Sequence, residues 1–202
     1  IEAAVQATWA VAGCNTNLGI LLLCAPVARA LDLQPHVTTA AGLQAAMVDV
    51  LDDLDPVDAQ AAYRGIAMAN PGGLGSATQQ DVHDVPSVGL RAAMALAADR
   101  DTIALQYRDG YRHVFETAVA ELGPSFDTAL FEQPDSPPDA AVVAAVQRVY
   151  LALLSTLADS HITRKHGVRT AQAVVRQAVP WFALARAGAN LDADPAFAAW
   201  DA

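Results

Sequence analysis

Apolar and polar residues recur along this chain at helical spacing, and glycine and proline cut it into helix-length pieces. Nowhere do β-branched residues alternate with polar ones over a strand's length. The pattern predicts about seven helices. The first runs from Glu2 to Val11 and the second, after a break at Gly13-Cys14-Asn15-Thr16-Asn17, from Leu18 to Leu31. A third spans Thr39 to Leu51 behind a threonine cap. Asp55-Pro56 opens a fourth through Met68, with the aspartate as cap and the proline at the first helical position, where its missing N–H costs nothing. From Asn70 to Pro86 the pattern stops, which predicts an ordered loop of the length that often carries function. A long helix is expected over Ser87 to Leu122, bent near Gly110. A proline-rich turn at Pro134 to Pro138, a helix capped by Asp139 and ending near Ala158, and a last helix from Thr170 to Ala187 complete the reading, with Trp200 docking on the body. The expectation is an all-α, compact single-domain multi-helix bundle over residues 1–202.

Composition narrows the picture. Hydrophobic residues make up 53% of the 202 residues, and the mean hydropathy is +0.25. Much of that is alanine, the best helix former, which also lets helices approach closely. The most apolar stretch, Ile20 to Ala28, contains Pro26 and is about half the length of a membrane helix, so a core helix is expected and no membrane association. A net charge of −10 repels polyanions at long range and argues against nucleic acid. Cys14 and Cys24 are too few for a disulfide scaffold and form no zinc-spaced cluster. With no signal-like opening, a cytoplasmic location is expected. The chain opens on Ile1 instead of Met, so a preceding natural segment is expected.

Four groups of polar residues interrupt this apolar background. On the long expected helix, Leu90, Met94, Ala97, Asp101, Ala104 and Arg108 share one face, which turns Asp101 inward and leaves Arg100 about 100° round the helix. An inward carboxylate must be paired, bound to a metal or set in a wet cleft. The second group is Asp159-Ser160-His161-Ile162-Thr163-Arg164-Lys165-His166-Gly167, where Arg164 can fork onto a phosphate, Lys165 can supply a point charge and Gly167 admits close backbone approach. The third is the loop Pro71-Gly72-Gly73-Leu74-Gly75 with Asp81, His83 and Asp84 downstream, glycine N–H groups for oxyanions beside carboxylates for a hard cation. It lacks the Lys-Ser/Thr ending of a P-loop and follows no strand. The fourth is Asn15-Thr16-Asn17-Leu18-Gly19, amides at the mouth of an apolar helix that suit a phosphate or a base edge. Each group also has a plain structural reading: an ion pair at Asp101, basic residues favoured at a helix C-terminus, an ordinary turn, and a helix cap. No Ser-His-Asp order, HExxH or paired cysteine ligand points to hydrolase or zinc chemistry.

Taken together and in this order, NTNLGILLLCAPVA at Asn15 to Ala28, NPGGLG at Asn70 to Gly75 with Asp81-Val82, AADRDTIALQY at Ala97 to Tyr107 and ADSHITRKHG at Ala158 to Gly167 resemble the signature segments of the triphosphoribosyl-dephospho-CoA synthase family, in its shorter branch. The resemblance implies an all-α, magnesium-dependent transferase. It would move the triphosphoribosyl group of ATP to the 2′-hydroxyl of 3′-dephospho-CoA and release adenine, making a prosthetic-group precursor. It implies Asp81 and Asp101 as Mg2+ holders or base, and Gly72, Gly73, Arg100, Arg164 and Lys165 on phosphates. Asn15, Asn17 and His161 would orient nucleotide or acceptor. The citrate and malonate members carry His-Lys where this chain has Asn17-Leu18, a charged ARGEAEAG-like segment where it has Pro71 to Gly75, and a DTN-type motif where it has Asp159-Ser160-His161. The family's Ser-Pro-Lys-Pro-Gly segment has no counterpart here. These departures keep open a ribosyl or phosphoribosyl transfer to another acceptor, such as a pterin-type one-carbon carrier intermediate. A non-catalytic helical nucleotide-binding or interaction protein is the third reading. Alanine-rich faces also allow a homodimer.

Overall fold

The computed structural model describes residues 1–72, 74–123 and 140–201. Among them the chain is all-α as expected, with eleven α-helices and no strand. It gathers into two compact units, Ile1–Arg112 and His113–Ala202. No single described helix is long and apolar enough to cross a membrane.

The first unit contains α1 (Glu2–Ala12), α2 (Leu18–Leu33), α3 (Ala40–Asp53), α4 (Pro56–Ala69), α5 (Leu90–Ala95) and α6 (Thr102–Arg108). Their starts follow the sequence. Thr39 Oγ1 accepts the N–H of Gly42 at 3.1 Å, and Asp55 accepts from Val57 and Asp58 at 2.7 and 3.0 Å while Asp58 accepts from the Asp55 N–H at 3.1 Å. That reciprocal box, with Pro56 in the first turn, fixes where α4 begins. α1 packs on α4, α2 on α3 and α5 on α6. Met47, Leu51, Leu90, Tyr107 and Tyr111 are the large side chains sealed inside.

The core is organised around a defect in α2. Pro26 lies inside that helix and has no N–H to give the carbonyl of Leu22, four residues back. Tyr107 Oη donates to that carbonyl at 2.7 Å, and Tyr111 Oη donates to Leu23 O at 3.0 Å and Leu22 O at 3.3 Å. Burial pushes both phenols well above the usual tyrosine range, so they stay neutral donors. Tyr111 reaches its place from a left-handed backbone, φ 58, directly after Gly110 at φ 60. Arg91 secures the C-terminal end of α6, donating from Nε to Tyr107 O and from Nη2 to Arg108 O, both at 3.1 Å, while pairing with Asp52 on α3. A Cβ at Gly89 would stand 2.2 Å from the carbonyl oxygen of Leu54, so only glycine lets α5 start there.

The long helix expected over Ser87 to Leu122 is instead several pieces, and this corrects the position of Asp101. α5 ends at Ala95, a tight turn follows, and Asp101 at φ −138 and ψ 121 starts α6. Its Oδ1 accepts the N–H groups of Ile103 and Ala104 at 2.9 and 3.0 Å. Aspartate competes with the helix for backbone donors, so it ends one helix and caps the next instead of lying on a continuous face. Of the residues assigned to that face, Leu90, Met94 and Ala104 are buried and Arg108 is exposed. The bend expected near Gly110 is present as the left-handed Gly110-Tyr111 pair.

The second unit begins with a π-helical segment, Val114–Val119, running into α7 (Ala120–Leu122). Then come α8 (Ala140–Thr156), α9 (Ser160–His166), α10 (Val168–Arg186), a 3-10 turn (Leu191–Ala193) and α11 (Pro195–Asp201). The expected cap at Asp139 and turn at Pro134 to Pro138 lie outside the described residues. α10 packs along α8. Leu151, Ala185, Leu191 and Phe197 form a core cluster covered by Trp181, Phe182 and Trp200. Trp200 docks as expected: its Nε1 donates to Gln177 Oε1 at 3.1 Å, and its ring lies 6.2 Å from that of Trp181.

The α2 defect yields a test. Tyr107→Phe removes the shorter of the two donors on Leu22 O and is expected to lower the unfolding free energy by about 1–2 kcal/mol. Pro26→Ala restores an intrahelical donor to the same carbonyl. In that background the Tyr107→Phe cost should shrink by at least ~0.5 kcal/mol in a denaturant double-mutant cycle, and strict additivity would disprove the assigned role.

Candidate functional site

The structure brings two of the four sequence groups together. Gly19, in the first turn of α2, lies against Ile103, in the first turn of α6; a Cβ at Gly19 would be 3.0 Å from Ile103 Cδ1. The Asn15 to Gly19 segment and the Asp101 to Ile103 segment therefore meet where both helices start. Asn15 Oδ1 accepts the Leu18 N–H at 3.1 Å, capping α2, and Asn17 Nδ2 donates to Thr8 Oγ1 at 3.3 Å, tying this corner to α1. Arg100 is exposed one residue before Asp101. The tyrosine hydroxyls on Leu22 and Leu23 hold the same two helices together about one turn further along α2.

The third group forms a built loop after α4. Asn70 ends that helix in a left-handed conformation, φ 41, and Gly75 and Gln80 also take positive φ. Gln80 and Ser87 clasp the loop by two hydrogen bonds, Gln80 Nε2 to Ser87 Oγ at 2.8 Å and Ser87 N–H to Gln80 Oε1 at 3.1 Å. Tyr63 Oη on α4 donates to Gln80 O at 2.8 Å. At the centre stands Asp81, its side chain 12% exposed. Oδ1 accepts the His83 N–H at 2.9 Å and His83 Nδ1–H at 2.8 Å, and Oδ2 accepts the Ala77 N–H at 2.6 Å. These donors, the His83 and Ala77 amides first and the His83 ring next, hold its carboxyl down to about 2. Gly72 is exposed, and Gly73 lies outside the described residues.

The fourth group is α9 itself, in the second unit. Asp159 caps it, accepting from the His161 and Ile162 N–H groups at 2.6 and 3.0 Å, and Gly167 ends it at φ 86. Arg164, Lys165 and His166 stand exposed in its last turn. Arg164 Nη2 donates to His161 Nδ1 at 2.8 Å. Since arginine has no acceptor, His161 must carry its proton on Nε2 in this contact and presents an N–H there. Sequence reasoning underused one feature of this region. From Ser160 to Leu191 there is no Asp or Glu, while Arg164, Lys165, Arg169, Arg176 and Arg186 all fall within it.

Sequence reasoning also missed the contacts that position these residues. Gly19 against Ile103, the Gln80–Ser87 clasp and the tyrosines on Leu22 are all long-range or loop pairings. Pro26 inside an apolar helix was the one available signal, since it implies a carbonyl needing an outside donor. The candidates stand by unit: Asn15, Asn17, Gly72, Asp81, Arg100 and Asp101 in the first, His161, Arg164 and Lys165 in the second.

The Asp81 carboxylate gives the loop a pH signature. Its folded pKa lies below the ordinary 3.8, so its contribution is fully present above about pH 4 and is lost as pH falls toward 2. NMR should show the Ala77 and His83 amide resonances moving with a midpoint near 2, and in Asp81→Asn that acid transition should vanish. A wild-type midpoint near 4 would contradict the hydrogen bonding described.

Neither the curated proteins nor the solved structures give a match to this chain. The family model described as CitG, ATP:dephospho-CoA triphosphoribosyl transferase, matches residues 1–202, the whole sequence, and the protein accordingly belongs to that transferase family.

Proposed function

We propose that the protein transfers the triphosphoribosyl group of ATP to the 2′-hydroxyl of 3′-dephospho-CoA and releases adenine. The observation that carries this reading is the family match over residues 1–202, which takes in all four motif segments. The bond from ribose C1′ to the adenine ring nitrogen breaks and a bond from the acceptor oxygen to C1′ forms. The hydroxyl proton is lost, and departing adenine gains one. Such a centre is oxocarbenium-like, so the protein's tasks are to hold a proton acceptor near the hydroxyl, a donor near adenine, and positive charge near the triphosphate.

The environments of the carboxylates separate their roles. Asp81, held at about 2 and hydrogen-bonded through both oxygens, is a poor base and a good loop anchor. Asp101 is the better candidate for base or cation neighbour, and Asn15, Asn17 and Arg100 are its companions at the α2–α6 start. In the second unit Arg164 and Lys165 supply phosphate-directed charge, and His161 supplies an N–H donor. Exposed Gly72 offers a backbone N–H group to the phosphates, and its neighbour Gly73 lies outside the described residues. Among the described residues no three His, Cys, Asp or Glu side chains gather around a common metal position. That arrangement fits a magnesium ion carried by the nucleotide's phosphates, with Asp101 or Asp81 as a single protein carboxylate, which is how magnesium is commonly held in phosphate sites. When bound, the ion would neutralise triphosphate charge.

The departures at Asn17-Leu18, Pro71 to Gly75 and Ser160-His161 favour a second reading in which the ribosyl chemistry is kept and the acceptor is a pterin-type one-carbon carrier intermediate. Incubation with ATP and Mg2+ separates the two. Adenine should appear only when dephospho-CoA is added, together with a triphosphoribosylated dephospho-CoA by mass spectrometry. Release that needs the pterin-type acceptor instead would replace the first reading with the second.

Asp101 allows its structural and chemical duties to be told apart. Asparagine caps a helix as well as aspartate does, so Asp101→Asn should change stability by less than about 0.5 kcal/mol, whereas Asp101→Ala should cost about 1 kcal/mol. Both should lower kcat/KM at least ~100-fold if the carboxylate acts in the reaction. Full activity in Asp101→Asn would reduce Asp101 to a cap. Lys165→Ala, at an exposed position, should leave thermal stability unchanged and raise the KM for ATP about tenfold.

A further inference from the structure

The first unit contains a cleft of about 610 Å³ alongside the C-terminal half of α2, and none of the candidate residues above lines it. Its floor is aliphatic, with Pro26, Ala30, Ala46, Val50 and Leu90 in its lining, and Leu33 and Leu54 flank it. Its rim carries Asp49, Asp53 and Asp58, and the one basic side chain in its lining, Arg29, already pairs with Asp32 at 2.7 Å. Phosphate is therefore disfavoured here. The chemistry suits an uncharged, largely aliphatic group whose N–H and O–H donors meet carboxylate oxygens.

The acidic rim works against the fold. Asp49 and Asp53 sit at i and i+4 in the C-terminal half of α3, where like charges repel and the helix dipole is negative. Residues that cost stability where they stand are expected at binding sites. Position agrees as well. Along the axis of α2 the cleft begins at Ala25, seven residues or ~10 Å beyond the helix start where the Asn15 and Asp101 segments meet. A dephospho-CoA molecule has the same layout, its reacting ribose at one end, a diphosphate between, and a neutral amide, hydroxyl and thiol arm at the other.

We propose that this cleft holds the pantetheine arm of the acceptor, with Asp49 and Asp53 receiving its hydrogen-bond donors. The inference rests on dephospho-CoA being the acceptor. Pantetheine alone serves as probe against the full chain and against the double variant Asp49→Asn, Asp53→Asn. Pantetheine should raise the melting temperature of the wild type and not that of the variant. Without ligand the variant should melt higher than the wild type, because the repulsion is gone. In turnover its KM for dephospho-CoA should rise about tenfold, with kcat and the KM for ATP unchanged. Equal stabilisation of both proteins by pantetheine, or none of either alongside an unmoved KM, overturns the assignment. Selective binding of pantetheine to the wild type without adenine release from any mixture upholds the cleft and refutes the proposed reaction.

Discussion

The carbonyl of Leu22 is the point on which the first unit turns. Proline at position 26 deprives it of a helical partner, and a buried carbonyl without a donor costs on the order of 1–3 kcal/mol. Tyr107 on α6 supplies that donor, and Tyr111 adds a second after two successive left-handed residues at Gly110-Tyr111. Arg91 then holds the same C-terminal end of α6 and links it to α3 through Asp52. A local defect in one helix thus fixes the register of another. Gly19 meets Ile103 at the start of the same two helices, about one turn of α2 before Leu22, so this register also sets how the Asn15 and Asp101 segments face each other.

Aspartate does most of the capping in this acidic chain. Asp55, Asp101, Asp159 and Asp194 each accept an N–H at the start of the helix that follows. Two of them lie inside motif segments, so the same carboxylate that starts a helix stands at a candidate site. This economy has a physical consequence. A cap is held rigidly by the backbone, which preorganises the side chain, but part of its acceptor capacity is spent on the helix. Asp81 shows the limit of that trend, since three donors stabilise its charge and leave it little basicity.

The helix content and the starts of α1 to α4 were legible because they depend on neighbours in sequence, whereas α9 (Ser160–His166) and α11 (Pro195–Asp201) were not expected. Asp55-Pro56, Thr39 and the apolar run after Asn17 mark their helices within a few residues. The region from Ser87 to Leu122 was not legible as a set of separate pieces. Its apolar spacing continues through Asp101, and only the competition of that carboxylate for backbone donors shows that the path turns there. The site was legible as four segments and not as an arrangement. Nothing local reveals that Gly19 needs to be small for Ile103, or that Gln80 and Ser87 close the loop around Asp81, because those pairings exist only once the chain has folded.

Charge is distributed unevenly enough to constrain how any polyanionic substrate is handled. In the first unit carboxylates outnumber arginines two to one, whereas the second holds an acid-free run from Ser160 to Leu191 with five basic side chains. Long-range attraction of a triphosphate to a chain of net charge −10 is unfavourable, so its capture has to be local and short-ranged, over about a Debye length of 8–10 Å. Arg164 and Lys165 are exposed in the last turn of α9, where a guanidinium can meet an oxyanion bidentately and an ammonium can meet it as a point charge. In the first unit the cleft beside α2 is lined by Asp49, Asp53 and Asp58, an arrangement that disfavours phosphate and suits uncharged groups.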